Sequence, residues 1–175
     1  MTMPPRLRRF ALTLHVTFSV GWFGAVAAVL VLAIAGLASP DVQRVRAVYA
    51  AVEPITWFAV LPLAFASLLS GIVQALGTAW GLFRHYWVVF KLLLTVFATA
   101  VLLMYTQTID HMAGVAAQAA PSGADLGELG APLALHAGGG LLVLFMNTVL
   151  AVYKPRGRTR YGRRGQHERR AAPAP

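Results

Sequence analysis

The chain contains no cysteine. That excludes disulfides, zinc–thiolate sites, iron–sulfur clusters and thiol catalysis. Charge is scarce as well: 12% of the 175 residues are charged, where a soluble domain carries about a quarter. Hydrophobic residues make up 58% of the chain, and the mean hydropathy is +0.65. The length argues for one domain, and low charge with long apolar runs places that domain in a membrane.

Four runs are long enough to span: residues 10–37, 55–76, 86–107 and 132–153. Each supplies the ~20 predominantly apolar residues that a helix rising 1.5 Å per residue needs to cross a bilayer core. Arg6, Arg8 and Arg9 precede the first run in the manner of a signal peptide. Its apolar stretch is 28 residues, whereas a signal-peptide core runs to about 7–15, so it reads as a membrane helix. The expected fold is all-α: a four-helix membrane bundle over residues 10–153, preceded by segment 1–9 and followed by a basic tail, 154–175.

The net charge of +9 invites a nucleic-acid reading, but its distribution speaks for topology. With four spans, both termini and the loop 77–85 share one side. Twelve of the fifteen basic residues lie there, and only Arg44 and Arg46 lie on the other side with five of the six acids. The positive-inside rule then makes both termini cytoplasmic. The tail beyond Pro155 lacks apolar periodicity and reads as disordered. It serves as a topology anchor or binds anionic lipid headgroups, at up to ~1 kcal/mol per basic residue. No nucleic-acid partner is expected, since Tyr161 is the tail's lone aromatic residue.

In the first outer loop, Ser39 reads as a helix cap and Pro40 as the first helical position. Val42, Val45, Tyr49 and Val52 then recur at helical spacing, which predicts a short helix on the membrane surface that Pro54 ends. Pro62 should kink the second span. The segment 110–131 is rich in Ala and Gly, with a turn at Pro121, Ser122 and Gly123. Its first part extends the third helix, and the rest reads as mobile.

Each span places one strongly polar residue near its inner end: His15, Gln74, Lys91 and Asn147. His15 and Lys91 both lie five residues into their helices, about 7–8 Å deep. Spacing puts His15, Ser19 and Trp22 on one face, and Ser67, Ser70 and Gln74 on another. Trp87, Lys91, Thr95 and Thr99 form a third stripe, and His136, Gly140, Val143 and Asn147 a fourth. Gly21, Gly24, Ala25 and Ala28 are small enough for close helix approach. Lys91 has two readings: its stem snorkels towards the headgroups, or its ammonium group belongs to an inner-leaflet site with His15. Interhelical hydrogen bonding is the plain reading of Gln74 and Asn147, and hydrogen bonding to their own backbone that of the threonines.

Glu53, Asp110, His111 and His136 gather at the outer ends of the spans. Imidazole with carboxylate suits copper or zinc. Haem suits a four-helix bundle with histidine ligands. His15 and His136 sit near opposite faces, more than ~15 Å apart by helix rise, and cannot share one iron. The same-side pairs are His15 with His85 and His111 with His136. His15 alone, with Lys91 near a propionate or as second ligand, is a further arrangement.

The segments HVTFSVGWFGAV (His15–Val26) and YWVVFKLLL (Tyr86–Leu94) resemble a family of small four-helix bacterial integral membrane proteins without an assigned activity. That resemblance implies a bacterial inner-membrane protein. His15 with Trp22, and Trp87 with Lys91, are also similar to elements of HemJ-type protoporphyrinogen oxidase, a haem-binding membrane enzyme. The run GAVAAVLVLA after Phe23 lacks that group's Pro-Arg and second His, so the resemblance extends to haem binding and stops short of porphyrinogen oxidation. The Lys-bearing helix and scattered histidines are similar to copper-resistance D-type domains. Three function classes follow: a haem-binding or redox protein, a copper- or zinc-handling protein or transporter, and an accessory subunit working through a membrane-protein partner or homo-oligomer.

Overall fold

The computed structural model describes residues 3–78, 80–118, 123–155 and 157–163, with the backbone alone over 123–128. Its elements are α1 (Pro5–Leu37), α2 (Val42–Ile55), a π-helical segment (Thr56–Val60), α3 (Leu61–Gly77), α4 (Tyr86–Ala117) and α5 (Gly123–Tyr153). Four helical stretches are long and apolar enough to cross a membrane: Pro5–Leu37, Val42–Gly77, Tyr86–Ala117 and Leu129–Tyr153. The architecture is thus all-helical among the described residues, with four stretches of the length and composition that a membrane span needs.

α1 packs on α3 and α5, while α4 packs on α2, α3 and α5. Trp22, Val26, Val29 and Ala33 of α1 supply one wall of the core, at the i, i+4, i+7 spacing that keeps residues on one helical face. Val52, Ile109, Met112 and Leu133 close the core towards the end opposite the termini. Large apolar side chains such as Val20, Phe58, Met104 and Leu142 point outward, as a lipid-facing surface requires. Gly21 takes a close neighbour, since a Cβ there would meet Leu63 at 3.3 Å; Gly24 has nothing within 4 Å, and Ala28 is exposed. Of that small-residue set, Gly21 marks a close approach and Ala25 packs against the core.

Several boundaries differ from the sequence expectation. The cap of α2 is Asp41, whose carboxylate accepts from Gln43 N–H at 3.0 Å; Ser39 Oγ instead accepts from Asp41 N–H at 3.2 Å. Pro54 does not end the helix. Only its missing N–H is lost, and α2 runs into the π segment and α3 without a break. Of the apolar face Val42, Val45, Tyr49 and Val52, the last two are buried, with α1 and α4 packed on α2; Val45 is half-buried and Val42 exposed. Pro62 is absorbed by the π segment in front of it. There Leu61 N–H reaches back five residues to Thr56 O, and the widened turn relieves the clash that a proline ring makes with the carbonyl four residues earlier.

α4 runs on to Ala117, as the first part of the outer loop predicted, and α5 begins at Gly123, well before residue 132. The mobile loop expected there is thus largely helix, in keeping with its alanines, the best helix formers; Pro132 lies inside α5 and does not end it. Of the turn expected at Pro121, Ser122 and Gly123, the first two lie outside the described residues, and Gly123 opens α5 instead. The expected disordered tail is also partly ordered. Tyr86 N–H donates to Gly157 O at 3.3 Å, Thr159 N–H to Arg84 O at 3.1 Å, and Thr159 Oγ1 donates to Phe83 O. The tail's start thereby serves the otherwise uncapped N-terminus of α4. Gly81, at φ +61°, turns this loop where a side chain would be strained. Residues beyond 163 lie outside the description.

Candidate functional site

The face of α1 carrying His15 and Ser19 meets α3. His15 Nδ1 lies 3.0 Å from Ser70 Oγ, and Ser19 Oγ lies 2.8 Å from Ser67 Oγ one turn further along. Ser70 has a single hydroxyl proton and directs it to its own helix, at Ala66 O (2.6 Å) and Ser67 O (3.1 Å). Its oxygen is therefore the acceptor and His15 Nδ1–H the donor, which leaves the lone pair of a neutral imidazole on Nε2. Gly71 makes room for the ring: a Cβ there would stand 3.1 Å from His15 Cε1.

Lys91 is within Coulombic reach of His15, and its ammonium group has no partner among the described residues. Its carbonyl accepts from Thr95 Oγ1 at 2.8 Å, and Thr95 Oγ1 accepts from Asn147 Nδ2 at 3.1 Å. Asn147 is buried, and its Oδ1 has no donor. Thr99 and Thr106 also hydrogen-bond their own helix, at Thr95 O and Leu103 O. The polar layer near the basic end thus consists of two pairs of helices, α1 with α3 and α4 with α5, and Lys91 faces the first pair electrostatically. Gln74 is half-buried and makes no side-chain hydrogen bond to another described residue. His85 belongs to the loop below this layer, where Nδ1–H donates to Trp80 O at 2.7 Å and the ring meets the Trp80 indole edge-on.

At the opposite end the four sequence candidates are dispersed among separate contacts. Asp110 Oδ1 accepts from Trp57 Nε1 at 2.8 Å. His111 is exposed and Glu53 half-buried. His136 donates through Nδ1–H to Pro132 O at 2.8 Å and stacks on Tyr105, with ring centroids 3.9 Å apart. Among the described residues no three His, Asp or Glu side chains form a metal-binding group.

Between these two layers lies a cavity of about 350 Å³ enclosed by α1, the π segment, α4 and α5. Its wall runs from Phe97 to Ile109 on α4 and from Leu133 to Leu144 on α5, with Trp22, Val26 and Val29 from α1 and Thr56 and Val60 from the π segment. No charged residue other than the ionisable His136 lines it. Phe97 and Leu135, both exposed, stand at its rim on the α4–α5 side, so it opens towards lipid. Two wall residues carry enclosed polar atoms without a hydrogen-bond partner: Trp22 Nε1 and Tyr105 Oη. Each such group costs about 1–3 kcal/mol when unsatisfied. The π segment contributes two of the wall residues, in keeping with the frequent use of π-bulges at functional sites.

Sequence reasoning placed Trp22 on the His15 face but did not select Tyr105, Thr56 or the cavity. A phenol, a threonine near two prolines and an indole, each inside an apolar span, were the available signals. His15 does not line the cavity; it sits seven residues, about 10 Å of helix, nearer the basic end than Trp22. No protein-family model, curated protein or solved structure matches this chain.

Proposed function

We propose that this chain is a bacterial inner-membrane protein, with both termini cytoplasmic, that binds a lipid-soluble small molecule inside its helix bundle. The observation that carries the reading is the cavity: apolar, about 350 Å³, within the ~300–1,000 Å³ range of small-molecule sites, and open to the bilayer between α4 and α5. Its lining holds no Lys, Arg, Asp or Glu, so the wall suits an uncharged ligand. The bias of twelve basic residues on the terminus side against two on the other supports the orientation. Because the chain has no cysteine, single cysteines at Gln43 and Thr159 test it directly. Impermeant maleimide applied to intact cells should label the first and spare the second.

The ligand reading is tested by solvent extraction of protein purified in mild detergent, followed by mass spectrometry. A lipid-soluble compound retained near one per chain, and lost when Gly139→Leu fills the slot, supports it. Gly139 lines the slot, and a Cβ there meets nothing within 4 Å, so the added side chain has open space to enter. Extracts of both proteins holding only bulk phospholipid would sink it.

A haem-binding redox role is the second reading, favoured by His15. Ser70 accepts from the imidazole Nδ1–H and leaves Nε2 unprotonated, so His15 would be the residue to hold a haem iron, and Lys91 would offer a cation beside it. Haem there would supply one-electron chemistry. A Soret band in the purified protein that His15→Ala abolishes supports this reading, and a flat spectrum after expression with ample haem removes it.

A further inference from the structure

The wall of the cavity also narrows the chemistry of its occupant, an inference that rests on the ligand reading above. Polar side-chain atoms occur in it at Trp22, Thr56, Tyr105 and His136. The first three are closed to a ligand. Trp22 Nε1 and Tyr105 Oη are sealed in the packing, and the buried Thr56 donates through Oγ1 to Val52 O at 2.8 Å. His136, by contrast, is exposed.

Two contacts fix the His136 ring. Nδ1–H donates to Pro132 O, one turn back along α5, at 2.8 Å, and the ring lies on Tyr105 with centroids 3.9 Å apart and an interplanar angle of 16°. With the proton on Nδ1, a neutral imidazole keeps its lone pair on Nε2. The two ring nitrogens point in nearly opposite directions in the ring plane. A ring that turns Nδ1 back towards Pro132 therefore turns Nε2 away from it, towards Gly139 and Gly140. The α5 wall of the slot continues that way, to Leu144, and the space there is open: a Cβ built at Gly139 meets nothing within 4 Å, and one at Gly140 meets only Val26. Nε2 has no hydrogen-bond partner among the described residues, and a bilayer core offers no water to stand in. The slot thus presents an accessible acceptor in an otherwise apolar wall.

An acceptor selects a donor. A charged headgroup would be desolvated without compensation, because the wall holds no Lys, Arg, Asp or Glu. An ester, ether or carbonyl oxygen would bring a second acceptor and leave Nε2 unpaired, whereas a hydroxyl pairs with it. Position sets the orientation. His136 lies level with Tyr105, five residues or about 7–8 Å inward of Asp110, and the wall extends eight residues or about 12 Å beyond Tyr105 to Phe97. We propose that the slot binds a lipid alcohol, a neutral molecule whose hydroxyl donates to His136 Nε2 and whose apolar body lies along α4 towards Phe97.

The test uses full-length protein in detergent, stripped of bound lipid, with 1-decanol and cholesterol as probes. Each is compared with its own methyl ether, which keeps the apolar body and loses the donor, and affinity is read from the concentration dependence of the thermal melt. At least one alcohol should bind about three- to tenfold tighter than its ether, as one neutral hydrogen bond predicts. His136→Phe keeps a ring against Tyr105 and should remove that difference while the ether still binds. Gly139→Leu should weaken alcohol and ether alike. A merely structural role for His136 would shift the melt and leave the alcohol-to-ether ratio unchanged. The wild-type ratio remains a test even where His136→Phe does not fold. Equal affinity for alcohol and ether, a preference that survives in His136→Phe, or tighter binding of decanoic acid than of decanol overturns the alcohol assignment while leaving a lipid-soluble ligand in place. Failure of both alcohols to bind overturns it as well, and extracts of wild type that hold only bulk phospholipid would then remove the ligand reading too.

Discussion

His15 of α1 and Ser70 of α3 are joined by a 3.0 Å hydrogen bond in which the imidazole donates, and Ser70 is held in place by its own helix. The bond ties the first span to the second one turn from the Ser19–Ser67 contact across the same seam. Interhelical hydrogen bonds of this kind are worth about 0.6 kcal/mol on average and up to about 1.7. Ser70→Ala should therefore lower unfolding stability by that amount. A cycle with His15→Phe should return a coupling energy of the same size, read from unfolding in mixed detergent. Strict additivity would show that the two side chains do not interact.

Gly71 tests the same seam by volume. Alanine improves helix propensity by about 0.8–1.0 kcal/mol, whereas overpacking a tight contact costs about 1–3 kcal/mol. A Cβ at 3.1 Å from His15 Cε1 has a ring, rather than a flexible chain end, to push aside. The overpacking term should win, so Gly71→Ala should be destabilising by about 1 kcal/mol. A stabilised Gly71→Ala protein in a thermal melt would show that the ring is free to move.

At the other end of the bundle Arg46 secures the end of α4. Its guanidinium donates from Nε to Ala116 O at 2.8 Å and from Nη2 to Gln118 O at 2.9 Å, where the last turn of a helix leaves carbonyls unpaired. Bonds to a charged group are worth about 1.5–3 kcal/mol when well buried, and partial exposure reduces that. Arg46→Ala should free the last turn by about 1 kcal/mol, seen as roughly fivefold faster hydrogen exchange over residues 113–118. Exchange should be unchanged near residue 95.

How far the sequence could be read depends on which force set each feature. The four spans follow from hydropathy, which acts residue by residue, and the neighbouring faces of His15 and Ser70 follow from helical period. Features set by a partner distant in sequence were not legible. Asp41 displaces Ser39 as the cap of α2 through local geometry that composition does not rank. Residues 157–163 gain order because α4 begins without a side-chain cap, and Gly157 O meets that need. The cavity depends on the π segment before Pro62, which rotates Thr56 and Val60 relative to an uninterrupted helix. Period-3.6 reasoning has no means of anticipating that rotation.

The contact between tail and loop carries its own prediction. A Cβ at Gly162 would run into the carbonyl oxygen and carbon of Arg84, which are backbone and cannot swing away. Gly162→Ala should release residues 157–163 from the loop while leaving the bundle intact. Limited trypsin treatment should then cut at Arg158 and Arg160 several-fold faster than in wild type, with an unchanged thermal melt of the membrane core. Equal cleavage rates would mean that the segment is not held there.

Tyr105→Phe tests the buried phenol. Its oxygen is enclosed without a partner, and phenylalanine keeps the ring that stacks on His136 at 3.9 Å. Removing an unsatisfied hydroxyl recovers its desolvation penalty, about 1–3 kcal/mol, and creates no cavity beyond one oxygen. Tyr105→Phe should therefore be more stable than wild type in a thermal melt, by roughly 1 kcal/mol. A Tyr105→Phe protein that melts below wild type would show that the hydroxyl already has a partner.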